Sequence, residues 1–247
     1  MLSRGARALP TSRIAPMRSL LPCRCSRGRS RSRDDAALSC NGLSADPPQV
    51  SRLPVAGTLW ELRMAIRQVL FIQGGGDDAH NADAPLARAL GQALGAKYEV
   101  SFPRMAGEGE PDMARWKQQV AGELSNLAGP VVLVGHSLGG SALLRLLSED
   151  KVKPAIASLH VLAVPAFDGK DWAYHDLKLP DDAADKLAGI PRLFLYHCRD
   201  DETVPFAHLA LHAAKLPQAT VRALESGGHQ FGNDLQVVAA DIRAAAA

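Results

Sequence analysis

The apolar run Val131-Val132-Leu133-Val134 passes directly into Gly135-His136-Ser137-Leu138-Gly139-Gly140, and that turn leads into Ser141-Ala142-Leu143-Leu144-Arg145-Leu146-Leu147. A buried strand, a tight turn and a helix in this order constrain the chain more than any other stretch. A serine hydroxyl is a poor nucleophile unless it is held out of the fold, beside a base and at the positive end of a helix. A turn tight enough to do that strains the backbone at Ser137. It also brings strand and helix so close that side chains at positions 135 and 139 would clash. A bare G-x-S-x-G string recurs by chance; the strand before it and the helix after it give it weight. The spacing predicts a nucleophile elbow at Ser137.

The rest of the chain from residue 68 alternates apolar runs with amphipathic segments. Strands are predicted at Val69–Ile72, Tyr98–Phe102, Val131–Val134, Ile156–Val164, Leu193–Tyr196 and Val221–Leu224. Helices are predicted over Pro85–Leu94, over Asp112–Leu127 with Asp112 as cap, after the elbow, and over Leu235–Ala246. Near-continuous apolar strands separated by helices imply a parallel sheet covered on both faces. In an open sheet of this kind the site gathers at the carboxyl ends of the strands. The loops Gln73-Gly74-Gly75-Gly76, Arg199-Asp200-Asp201-Glu202 and Glu225-Ser226-Gly227-Gly228-His229 all follow strands, as the elbow does.

Charge divides the 247 residues in two. Positions 1–33 hold nine arginines and no acidic residue, whereas from Met64 onward 17 Lys and Arg stand against 22 Asp and Glu, a net of −5. The core therefore carries no basic stripe to track a phosphate backbone, and nucleic acid is not an expected partner. Residues 1–63 lack hydrophobic periodicity until about Leu59 and are expected to be a disordered, Arg-rich leader. The composition fits a transit peptide or a basic arm. The reading adopted is that the segment is upstream sequence and that synthesis begins at Met64, which runs straight into the first strand. Residues 64–247 are then the one folded domain. Three of the four cysteines lie in the leader and only Cys198 in the core, so the core forms no internal disulfide. A cytoplasmic protein is expected, or an organellar one if residues 1–63 are a targeting segment. No apolar stretch approaches the ~18 residues that cross a bilayer, so no membrane partner is expected.

Asp201-Glu202-Thr203-Val204-Pro205 resembles the acid loop of α/β-hydrolases, and Gly228-His229 resembles the Gly-His that carries their base. With the elbow, three motifs stand in the chain order of that superfamily: serine, acid, histidine. The compact build, Pro103-Arg104-Met105 after the second strand, and Trp116 in the next helix are similar to small serine hydrolases of the retinoblastoma-binding protein 9 and YdeN type. The similarity covers about residues 67–245; the leader has no counterpart. The resemblance implies an α/β-hydrolase fold of about six mostly parallel strands, helices on both faces and a short cap insertion. It also implies Ser137 as nucleophile, His229 as general base and then acid, and Asp201 as the group orienting the imidazole, with Asp200 as the rival for that role. Asp200 and Glu202 otherwise read as solvated loop charges, and His136 as a packing or hydrogen-bonding residue.

An attacked carbonyl develops a negative oxygen that fixed donors must meet. The N–H of Leu138 should be one donor and that of Gly75 the other, with Gly74 as the alternative. Many relatives have His-Gly where this chain has Gln73-Gly74, which puts the second donor in doubt. The cap, about residues 166–190, carries Trp172 and Tyr174 as pocket-wall candidates against simple packing. The other histidines show no metal-ligand spacing, and no metal or cofactor is expected. The expected activity is cleavage of a small acyl ester, thioester or amide through an acyl-enzyme. A non-catalytic binding protein on the same fold, or an acyltransferase, is the alternative.

Overall fold

Alternate residues of the first strand, β1 (Arg67–Ile72), point into different apolar layers of the computed structural model, which describes residues 67–167 and 177–245. Val69 and Phe71 join one layer, Leu70 and Ile72 the other. Such two-sided burial is what a period of two requires of a strand covered on both faces. The remaining strands are β2 (Tyr98–Ser101), β3 (Val131–His136), β4 (Ile156–Leu162), β5 (Leu193–Cys198) and β6 (Thr220–Leu224). They form one sheet in the order β2-β1-β3-β4-β5-β6, and every pair is parallel. The chain order reverses at β1, which pairs with both β2 and β3. The expected six-stranded α/β architecture is therefore the one found.

Helices α1 (Ala79–Leu94) and α6 (Gln236–Ala245) cover the Val69 face through Leu86, Leu90, Val238 and Ile242. On the Leu70 face lie α2 (Met113–Ser125), α3 (Leu138–Glu149), the short α4 (Ala183–Leu187) and α5 (Ala207–Lys215). Asp112 caps α2 as expected, its carboxylate accepting the Arg115 N–H at 3.0 Å. Trp116 is fully buried and donates its indole N–H to the Ala106 carbonyl at 2.9 Å. Two expectations need correction. Helix α1 begins six residues before Pro85, which lies inside it. Helix α5 has no counterpart among the predicted helices, because the segment after Pro205 shows too short a periodic run to stand out. Among the described residues no helix is long and apolar enough to cross a membrane.

The close approach of α3 to the ends of β3 and β1 explains the elbow glycines. A Cβ on Gly135 would lie 2.6 Å from the Gly140 Cα, and one on Gly139 would lie 2.6 Å from the Ile72 carbonyl oxygen and closer still to that of Gln73. Backbone cannot swing aside as a side chain can. Gly139→Ala should therefore cost about 3 kcal/mol and lower the melting temperature by roughly 6–12 °C. Thermal unfolding of the purified variant checks this; an alanine that melts with the wild type would mean that β1 and α3 stand further apart.

Candidate active site

Ser137 has φ 50° and ψ −124°, a strained conformation for a residue with a side chain, and stands immediately before α3. Its N–H is anchored to the Leu162 carbonyl at 2.8 Å, and its own carbonyl accepts the N–H of Gly140 at 3.0 Å. The elbow is thus fixed by β4 on one side and by the first turn of α3 on the other. Among the described residues the Ser137 hydroxyl makes no hydrogen bond, so it is left available.

The loops after β5 and β6 meet. His229 Nδ1 lies 3.0 Å from Asp201 Oδ2 and 3.2 Å from Oδ1. The Asp201 carboxylate is fully buried and saturated with donors. Its Oδ1 accepts the N–H groups of Thr203 (2.9 Å) and Val204 (2.8 Å), and its Oδ2 faces His197 Nε2 at 3.1 Å as well as the His229 ring. Burial favours the neutral acid, but the hydrogen bonds from His229, Val204 and Thr203 outweigh it and hold Asp201 below the usual carboxylate range. An ionised Asp201 accepting the Nδ1–H leaves Nε2 as the basic nitrogen of His229. Burial and the neighbouring His136 both lower the proton affinity of the ring, against the opposing pull of Asp201, and the net direction is down.

Among the described residues Asp200, the rival in sequence for the orienting role, makes no hydrogen bond to the ring. Instead it accepts the backbone N–H groups of Gly227 (3.1 Å) and Gly228 (2.9 Å), while Glu202 accepts that of His229 (3.2 Å). These two carboxylates hold the histidine loop and are not merely solvated charges. Gly228, at φ 60°, lets the loop turn there. The Cys198 sulfur packs against Gly227, and burial together with Asp200, Asp201 and Glu202 pushes its thiol up to about 12, so it stays protonated at neutral pH.

In the loop after β1, the Gly74 N–H goes to Asp83 Oδ2 at 2.8 Å and the Gly76 N–H to the Glu108 carbonyl at 2.6 Å. Among the described residues, no partner takes the N–H of Gly75 or of Leu138. These are the two donors expected from sequence. They belong to neighbouring segments, since a Cβ on Gly75 would lie 2.5 Å from Leu138 Cδ2. Gln73 is buried and braces this loop, donating from Nε2 to Glu108 at 2.6 Å and accepting the Met105 N–H at 3.1 Å. Trp172 and Tyr174 lie outside the described residues.

The sequence profile of the serine hydrolase family matches residues 87–233, more than half of the chain and inclusive of the elbow and both partner loops. The chain belongs to the serine hydrolase family. The hydrolase shares its fold with the ydeN gene product of B. subtilis, at 19% identity over 72% of this chain and 98% of the other, TM-score 0.59. The esterase domain of a Rhodothermus marinus protein is similar at 17% identity, over 72% of this chain and 87% of the other, TM-score 0.53. Alpha/beta hydrolase domain-containing protein 10 from mouse matches at 20% identity, over 72% and 88%, TM-score 0.50. No curated protein matches the sequence.

The hydrolase also brings together residues that sequence reasoning did not link. His136 Nδ1 lies 2.9 Å from Asp83 Oδ2, across 53 positions, and its Nε2 lies 3.0 Å from the His229 carbonyl oxygen. Gln230 Nε2 donates to Asp83 Oδ1 at 3.0 Å. Only the tertiary fold could reveal Asp83, which in sequence is one acidic residue on an amphipathic helix.

Proposed function

We propose that this serine hydrolase cleaves a small ester, thioester or amide through an acyl-enzyme. Ser137 acts as nucleophile, His229 as base and then acid, and Asp201 as the orienting carboxylate. The observation that supports the reading most is the His229–Asp201 hydrogen bond at the carboxyl end of the sheet, beside the strained elbow that presents Ser137. The His136 ring, adjacent to Ser137 in the chain, packs 4.6 Å from the His229 ring, so nucleophile and base share one corner of the site. Closing the last contact, from Ser137 Oγ to His229 Nε2, is assigned to the substrate complex, where such hydrogen bonds tighten.

As Oγ bonds to the carbonyl carbon, His229 Nε2 takes the hydroxyl proton and the C=O electron pair moves onto oxygen. The N–H groups of Gly75 and Leu138 receive that oxyanion. The pair then returns, the bond to the leaving group breaks, and His229 gives its proton to the departing oxygen, sulfur or nitrogen. Water enters by the same route, losing its proton to His229, and releases the carboxylic acid and free Ser137. Asp201 remains ionised throughout and stabilises the imidazolium.

A fluorophosphonate probe should label the protein once, on the peptide that contains Ser137, and Ser137→Ala should not be labelled. Mass spectrometry of the digested adduct decides it; a label on another residue, or on the alanine variant, would remove Ser137 from this role.

A further inference from the structure

Both ring nitrogens of His136 face acceptors. The His229 carbonyl opposite Nε2 can only accept. Asp83, opposite Nδ1, already takes the Gly74 N–H on Oδ2 and the Gln230 amide on Oδ1, so it is surrounded by donors. A neutral imidazole has one N–H and would leave its other lone pair against an acceptor. With both protons on His136 and none on Asp83 every one of these contacts pairs a donor with an acceptor, and both Asp83 oxygens stay full acceptors for Gly74 and Gln230. The two side chains are 1% and 3% exposed, so this is a buried ion pair whose remaining polar atoms are met by specific partners.

Its partners are what make the pair more than a core contact. Gly74 precedes Gly75, the donor assigned to the oxyanion. His136 precedes Ser137. The His229 carbonyl and the Gln230 amide belong to the base loop. One ion pair, formed between α1 and β3, therefore bonds to the three segments that must stay in register within a fraction of an ångström for acyl transfer. The cationic ring also lies 4.6 Å, centroid to centroid, from the ring of the base.

Resting on the triad reading above, we propose that Asp83 and His136 are a positioning pair, a buried carboxylate and imidazolium that set the three reacting segments in register and keep His229 neutral in the resting enzyme. The charged groups around each ring agree in sign with this. His136 faces Asp83 from α1 and His229 from the base loop, with Asp201 beyond. Burial opposes its charge, Asp83 outweighs burial, and its proton affinity is raised. His229 faces His136, Asp83 and Asp201, with Glu202 on its backbone N–H, and is lowered.

The wild-type protein allows a test that needs no variant to fold. In nitrogen-15 NMR with labelled histidine at pH 8, the His136 ring, assigned through its backbone, should show both nitrogens protonated. A His136 ring with one bare nitrogen overturns the ion pair. The role is read from kcat/KM against pH with p-nitrophenyl acetate, in variants that still label fully with fluorophosphonate. His136→Asn should move the acidic limb up by about one pH unit, and Asp83→Asn should move it up by less, since it removes both charges together. The double variant should go no further than His136→Asn. Limbs that stay in place while rates fall would reduce the pair to scaffolding and overturn its part in keeping His229 neutral. Failure of the wild type to label at Ser137 is a separate result: it would sink the triad, and this role with it, while the NMR spectrum still reports the charge on His136.

Discussion

Ser137→Ala should lower kcat for p-nitrophenyl acetate by a factor on the order of 10⁴–10⁶, and His229→Ala by a similar factor, with the double variant no worse than either. The lack of additivity is the informative part. A hydroxyl without a base attacks slowly, and a base without a hydroxyl has nothing to activate, so either loss removes the same step. The alanine variant should still fold, because alanine meets the same backbone strain at φ 50° that serine already bears, and the Ser137 hydroxyl holds no hydrogen bond whose loss would be felt. Initial rates corrected for buffer hydrolysis, with melting temperatures beside them, measure the effect. Rates within tenfold of wild type in a well-folded Ser137→Ala would show that another group attacks the ester. Cys198 is a poor candidate for that group, since its thiol is buried and protonated.

What could be read from the chain was whatever is local. The elbow is a contiguous string, and its glycines carry their reason with them: the backbone contacts at Gly135 and Gly139 are the close approaches that the turn demands. The four inner strands are legible because burial on both faces writes continuous apolar runs, whereas the edge strands β2 and β6 hold no buried residue and show as short mixed runs; the ends of β1, β3, β5 and β6 locate the loops. Asp201 and His229, which the fold brings within 3.0 Å of each other, are each marked in sequence by a motif of a few residues. What stayed hidden was pairing across the sheet. The bond from Asp83 to His136 joins a helix to a strand, and Gln230 meets Asp83 across 147 positions; neither alters the local pattern of charge or hydropathy. Asp200 and Glu202 are exposed, as their loop position suggests, but the backbone N–H groups they also accept from have no sequence signature. Gln73 departs from the His-Gly of many relatives, but its task, tying the loop after β1 to Glu108 and Met105, depends on how β2 lies beside β1.

Asp201→Asn should lower kcat/KM on the ester by roughly 10³–10⁴-fold, and the shape of its pH profile should identify the cause. The carboxylate meets three donors, two backbone N–H groups on Oδ1 and the His229 ring on Oδ2, while His197 Nε2, 3.1 Å from Oδ2, is bonded to the Val204 carbonyl at 2.9 Å. An asparagine oxygen can serve one side only, and its NH₂ must then face donors. With no carboxylate to hold the proton on Nδ1, His229 takes the other tautomer for much of the time and presents a protonated nitrogen to Ser137. Asp201 is also the largest influence raising the proton affinity of His229 against burial and His136, with Asp83 adding to it. Without it the acidic limb should move to lower pH as the plateau falls, opposite in direction to the shift from His136→Asn. Asp200→Asn, whose one oxygen can keep only one of the contacts to the Gly227 and Gly228 N–H groups and which loses none to the ring, should fall by about tenfold or less and keep the limb in place. A limb that rises in Asp201→Asn, or a larger loss from Asp200 than from Asp201, would mean that the orienting carboxylate is not at position 201. Two single-charge removals on either side of one imidazole, moving one titration in opposite directions, are hard to produce by general loosening of a fold.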